Sequence, residues 1–578
     1  MDDDSTPELN EALTVEDGFR LFADHTFLSA IEKRRSSEGD PPLLTAAIDL
    51  HNSGRICLFD VVLWPEWAAL AGHTFFTVQH FLDKAIPRLK ATPEEMMMFV
   101  TALVAKGGND GFANQPNVAF IEWCRRDLER AKAIVSKAEA GHPLAIDHQS
   151  FALRALGDLQ LARSIVLSSD GLRRLSAVAG LARIPHPNAE ELEATVAALA
   201  RIITGDADDQ LRASVVDATV NAFASAKAKL TDAALAALVS ALDGGSDIAV
   251  HSAAQSLFGN GEILSAQLVT ILLAALRHLN PANKGTVNFV DLGLADLVGH
   301  GFGTQAVEFL SDLLSRPDID LSVGEFDSFS HSLVAGDRKL LCGLTARWLL
   351  SGVAALCQGT QEILSGATTG EKSITLDLSG EGLTDEEAYF VGRKAIGFFF
   401  MKPVVAASIL VSLIGGASSE WADAMQDLLF EPLLVNYGGT INDYLLEIPE
   451  GDPAYQHVQH VLARGEAYLE GLRSVGAIKE LHPSEQNRLL ERIRFSEQMR
   501  EAMKGARKKS VFHGLFKKSI MLYGNRSVSF IEGPDGDRQR FEMELHPLGV
   551  THEWPRIETI DPVGLQEMLF TLRVEQRR

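Results

Sequence analysis

Cysteine is scarce, with four in 578 residues (Cys57, Cys124, Cys342 and Cys357), scattered and with no C-x-x-C pair. Neither a disulfide framework nor a thiolate zinc site can be read from that spacing. The chain has no G-x-x-x-x-G-K-[ST] loop and no G-x-S-x-G elbow, which removes the usual signatures of nucleotide hydrolysis and acyl transfer. Gly299-His300-Gly301-Phe302-Gly303-Thr304 comes nearest to a phosphate loop. Its glycines fall at the first, third and fifth positions, whereas the dinucleotide fingerprint needs the first, third and sixth after a strand. It reads as a turn between helices. His457-x-x-His460 and the pair His73 and His80 have no further ligand clustered beside them. No catalytic, cofactor or metal residue is assigned.

Long apolar runs are also lacking, with one exception. Ile396 to Ile414 carries a single charge, Lys402, over nineteen residues, close to the ~20 that cross a bilayer. Thr384-Asp385-Glu386-Glu387 upstream is a capping box that starts a helix. Lys402-Pro403 then interrupts it, because proline lacks an amide donor yet suits a helix's first turn. The run is therefore expected to be a buried helix–turn–helix, with no membrane span. The opening MDDDSTPELNEAL is acidic and polar, unlike a basic-then-apolar secretion leader, so a cytoplasmic protein is expected.

What the chain has in plenty is negative charge, a formal net of −24 at pH 7. It is unevenly spread. Arg488 to Arg526 holds eleven Lys or Arg against three Glu, a local +8, while residues 1 to 487 carry −28. Arg507, Lys508, Lys509, Lys517, Lys518 and Arg526 cluster there, with Phe512, Phe516 and Tyr523 among them. Cations interleaved with aromatics suit a polyanion, and this island is the candidate polyanion-binding site. The same charges could also dock on the protein's own acidic body or on an acidic protein partner.

Most of the chain reads as helices of 10 to 18 residues with short Gly, Pro, Asn or Asp punctuation; TPEEMMMFVTALVAKGG, from Thr92, has cap, N-terminal proline and closing glycines in the expected order. In the middle, helices are expected to start near Asp170, Asp209, Asp247 and Gly285, with second helices near Asn188, Thr231, Ser265 and Thr304. Two helices per ~39 residues is the length of a HEAT-type unit. Asp170-x-x-Arg173 and Asp209-x-x-Arg212 add the Asp and Arg placement of such units, which the later ones lose. Residues 150 to 360 thus resemble the HEAT-like helical-repeat superfamily. The resemblance implies stacked helical hairpins with an extended binding surface, used mostly for proteins, sometimes for nucleic acid and occasionally for catalysis.

After Val511 the pattern changes. Gly524-Asn525 separates two alternating runs, a hairpin signal, and Pro534-Asp535-Gly536-Asp537 makes a further turn. Val528 and Phe530 with Phe541 and Met543 are expected to share one apolar face, covered by a last helix, VGLQEMLFTLRV, after Asp561-Pro562.

The expected fold is mainly α, a HEAT-like α-solenoid with a small C-terminal antiparallel β-meander plus helix. Its segments are an acidic N-terminal stretch (1–41), the helical-repeat domain (42–365) and a linker with a short strand at Ser373–Leu378 (366–382). A second helical region ending in a basic helix (383–510) and a small α+β module (511–578) follow. The expected role is a non-catalytic scaffold or adaptor that presents its solenoid to a protein partner, with no cofactor. Two other readings stay open: a nucleic-acid-associated protein using the basic island 488–526, and an enzyme with a dispersed active site in the solenoid.

Overall fold

The computed structural model describes residues 14–33, 42–108, 114–203, 207–366, 374–476, 478, 483–509, 518–521, 526–532, 538–544 and 553–577. It forms two compact units, Met1–Leu340 and Leu341–Arg578.

In the first unit the helices are α1 (Val15–Ala23), α2 (Phe27–Lys33), α3 (Pro42–Asn52), α4 (Pro65–Ala69), α5 (Gly72–Ala85), α6 (Pro93–Gly107), α7 (Gln115–Arg125) and α8 (Leu128–Glu139). They continue as α9 (Pro143–Leu156), α10 (Leu159–Ser168), α11 (Gly171–Leu181), α12 (Ala189–Ile202), α13 (Asp209–Ala226) and α14 (Asp232–Leu242). Next come α15 (Asp247–Leu257), α16 (Ala266–Leu276), α17 (Lys284–Gly299), α18 (Gly303–Leu314) and α19 (Asp327–Ala335). Short polar side chains start many of them: Asn188, Asp208, Thr231, Ser246, Ser265 and Asn283 each accept from an amide in the first turn. The helix starts read from the sequence in the repeat region agree with these bounds to within a residue or two.

The packing gives the unit its solenoid-like form. Odd-numbered helices stack into one row, each against the next, from α1 to α19. From α10 to α18 the even-numbered helices stack into a second row, and they touch more sparsely than their first-row counterparts. Closer approach on the first row needs small residues. A Cβ on Gly180 of α11 would lie 3.1 Å from the Ser150 carbonyl oxygen, and one on Gly293 of α17 only 2.7 Å from Leu257 Cβ. Apolar side chains of the first row are buried along whole helices, as in α13 with Val215, Val216, Val220 and Phe223. Each such side chain contributes roughly 1.5–3 kcal/mol.

Polar ties hold the two helices of a hairpin together and link successive hairpins. Arg212 Nη1 donates to the Ser240 carbonyl (2.7 Å), and Asn280 Nδ2 donates to Asp247 Oδ2 (3.1 Å). Buried Asp291 of α17 accepts from the amides of Ser328 (3.1 Å) and Phe329 (2.9 Å), capping α19 from the neighbouring helix. Asp208, one residue before the acid of the Asp-x-x-Arg pattern, caps α13.

The second unit contains α20 (Arg338–Ser351, which begins just before the boundary), α21 (Ala354–Gly366), α22 (Asp385–Phe399), α23 (Pro403–Ile414) and α24 (Ser419–Leu428). A π-helical turn, Leu429–Leu434, leads to α25 (Thr440–Leu446), α26 (Tyr455–Gly476) and α27 (Glu485–Lys509). Three strands follow, β1 (Lys518–Met521), β2 (Arg526–Glu532) and β3 (Arg538–Glu544), then α28 (Arg556–Ile560) and α29 (Pro562–Val574). Two rows recur here, α22 with α24 and α26, and α23 with α25.

The apolar run divides as its Lys402-Pro403 predicts, into the end of α22 and the whole of α23. Among the described residues no helix is long and apolar enough to cross a membrane. Lys402 Nζ donates to the Leu364 carbonyl (2.8 Å), and Thr384 with Glu387 forms the expected capping box.

The second unit departs from expectation in three places. Ser373 lies outside the described residues, and Ile374–Leu378 forms no strand. Ile374, Leu376 and Leu378 are buried in alternation, but the Leu376 and Leu378 amides donate to Ser408 Oγ (2.9 Å) and Ser412 Oγ (3.0 Å) of α23. A helix's side chains thus satisfy the donors that a sheet neighbour would otherwise take. The sheet is an antiparallel β1-β2-β3 meander, as expected, but its register separates the apolar residues. Val528 pairs with Glu542, and Phe541 pairs with Ser529. Directly opposed residues share a face, so Phe541 lies on the face opposite Val528 and Phe530. Phe541 is exposed and Val528 buried. The hairpin turn at Gly524-Asn525 lies outside the described residues.

The last helix takes a different partner from the one expected. α29 packs against α22, where Gly397 leaves room for Leu572 (3.1 Å from a Cβ built on the glycine). Lys394, fully buried in α22, donates from Nζ to the carbonyls of Arg573 (2.7 Å) and Glu575 (2.6 Å). Arg393 Nε pairs with Glu575 (2.8 Å), and Arg577 with Glu387 (2.6 Å). Leu565, Leu569 and Leu572 are the buried residues of α29.

Candidate interaction surfaces

Two surfaces stand out, one in each unit. In the first, neighbouring second-row helices α14 and α16 leave a groove of about 460 Å³. Leu235, Ala236 and Val239 form one wall, Ala266, Thr270 and Ile271 the other, and Asp232 sits at its edge. The groove exists because second-row helices are loosely spaced and carry small residues at the contact. Val239 is 52% exposed, unusual for a valine on a helix whose other apolar residues are largely buried.

The second surface is α27. Every described side chain of this helix is exposed, among them Leu489, Ile493, Phe495, Met499 and Met503. At 100° per residue, Leu489, Ile493, Met499 and Met503 share one sector about 140° wide with Arg488, Arg492, Arg500 and Arg507. Glu491, Glu497 and Glu501 fall outside it, and Glu485 in the first turn is the one acid inside it, so the sector keeps a net charge of +3. Arg500 makes a loose pair with Glu497 (3.9 Å), an exposed contact that holds little energy.

The basic residues singled out in the sequence are distributed as follows. Arg507 and Lys508 lie exposed in the last turn of α27, and Lys509 ends that helix. Lys517 lies outside the described residues, as do Phe512, Phe516 and Tyr523. Lys518 opens β1 opposite Phe530, and Arg526 opens β2 opposite Glu544. Lys518 and Arg526 therefore stand at opposite ends of the β1–β2 ladder, about 13 Å apart along the strands. Arg540 is paired with Glu542 on the same sheet.

The other sequence candidates serve packing. The Gly299–Thr304 stretch is the turn between α17 and α18, with Gly301 at φ 84°. His457 Nδ1 meets the Gln426 side-chain amide (3.1 Å), and His73 meets Thr77 (3.3 Å). Among the described residues no three His, Cys, Asp or Glu side chains converge on one point. Burial pushes Asp83 of α5 up to about 7 and Asp217 of α13 up to about 6. Asp83 Oδ1 is buried with no hydrogen-bond partner, whereas Asp217 is bonded by Ser252.

Sequence reasoning missed both the groove and the α27 sector. The groove had no signal, because Val239 and Ile271 look like any core residues of an amphipathic helix. The sector did have one: apolar residues at 489, 493, 499 and 503 recur near helical period with arginines beside them. No family model matches the chain, and no curated relative matches it.

Proposed function

We propose that the chain is a non-catalytic scaffold or adaptor built of HEAT-like hairpins, which presents its first-unit solenoid to a protein partner. The α14–α16 groove carries this reading. An open apolar cleft between two neighbouring second-row helices is the shape that receives a third helix or an extended apolar segment. Asp232 at the groove and the net −28 of residues 1 to 487 suit a partner with a basic rim. Four free cysteines suit a reducing compartment, and the cytoplasm is where we place the protein.

The test is affinity purification of the full chain from the cells that make it, with and without nuclease. Val239→Asp is the comparison, since a carboxylate in the groove stays hydrated and blocks apolar docking. A nuclease-resistant protein partner, recovered with the parent chain and lost with Val239→Asp, supports the reading. A partner retained by the variant, or lost to nuclease, overturns it.

A further inference from the structure

We infer that the apolar and basic sector of α27 is a docking helix for a protein partner whose receiving groove is apolar and lined with carboxylates. The helix is 25 residues long, about 37 Å, and its sector joins four large apolar side chains to four arginines, all exposed. Leu489 and Met503 are each 57% exposed, and apolar area of this kind on a long helix marks an interaction site.

Charge decides between occupants. Arg492 lies inside the sector, between Met499 and Met503 on the helical wheel. A bilayer would have to take its guanidinium among the acyl chains, whereas a carboxylate inside a protein groove pairs with it in two parallel hydrogen bonds. A second copy of the helix would set arginines against arginines. Nucleic acid would engage the arginines but leave Leu489, Ile493 and the methionines against phosphate and water, because aromatic faces are what stack on bases. An acidic groove satisfies both halves of the sector. The anchors follow the helix-in-groove pattern, with methionines that adapt to the receiving surface. This surface is independent of the α14–α16 groove, so failure here leaves the Val239 test standing.

The experiment places a photo-crosslinking phenylalanine at Met499, inside the sector, or at Gln498, about 100° round the helix and outside it. Both are made in the full chain, in the cells that produce it. The expected result is a discrete protein adduct at 499, with at least tenfold the yield at 498. Its cross-linked peptide should carry Asp or Glu beside apolar residues. Arg492→Glu with Arg500→Glu should lower that yield at least tenfold, and Arg492→Gln with Arg500→Gln by less. Circular dichroism should be unchanged in both, since these side chains are exposed. Equal yields at 498 and 499, a nuclease-sensitive or lipid adduct, no adduct above background, or an adduct indifferent to charge reversal would each overturn the proposal.

Discussion

Lys394→Met is the sharpest perturbation of the C-terminal clasp, because it keeps the aliphatic stem and deletes only the ammonium. In the folded chain that ammonium is fully buried and donates to two carbonyls, of Arg573 at 2.7 Å and Glu575 at 2.6 Å. It also lies 5.3 Å from the Phe390 ring centroid. Hydrogen bonds from a charged donor are worth about 1.5–3 kcal/mol each, and burying the ion already offsets part of that. Loss of both, with the last carbonyls of α29 left without their donor, should cost about 2–4 kcal/mol locally. Opening of α29 would then be favoured about 30-fold or more. Hydrogen exchange reads this directly: amides in the last two turns of α29 should exchange faster by that factor, while α13 and α15 are unchanged. Exchange in α29 within threefold of the parent would overturn this role of Lys394 and mean that Leu565, Leu569 and Leu572 hold the helix unaided.

Asp83→Asn should stabilise the chain at pH 8. The folded pKa near 7 exceeds the ordinary 3.8, so this carboxyl costs nothing below about pH 4. Its cost grows as pH rises and reaches about 4 kcal/mol above pH 7. Thermal melting at pH 5 and pH 8 should therefore show a smaller pH-dependent loss in the variant, and parallel curves would contradict the assignment. Gly293→Ala should destabilise by about 1–3 kcal/mol in urea titration despite its better helix propensity, because the new methyl meets Leu257 Cβ at 2.7 Å. Asp291→Ala should cost about 2–4 kcal/mol and raise exchange at Ser328 and Phe329, whose amides it caps. Unchanged exchange there would show that α19 is capped by other means.

Local chemistry made much of this architecture readable. Thr92, Thr384 and Asn188 announce helix starts because their side chains bond amides two or three residues on, and a sequence displays that spacing directly. The two-helix period was legible for the same reason, since each hairpin carries its own caps and turns. What was illegible depends on long-range partners. β3 sits in a register that puts Phe541 opposite Ser529, and alternation alone could not show which face of one strand joins which face of the next. α29 finds α22 some 180 residues earlier through Lys394 and Gly397, and neither residue advertises it; a lysine in an apolar stretch looks like surface until its acceptors are known. The α14–α16 groove likewise arises from the spacing between helices, which neither helix's own sequence displays. Of the eleven cations of the basic island, the seven of α27 from Arg488 to Lys508 are placed with side chains.

We have proposed that a partner sits in the α14–α16 groove. Hydrogen-exchange footprinting of the full chain with the partner recovered by affinity purification tests it most directly. Slowed exchange is expected in α14 (Asp232–Leu242) and α16 (Ala266–Leu276), abolished by Val239→Asp, with the first-row helices unaffected. Protection confined to the first row, or unchanged by Val239→Asp, would contradict it.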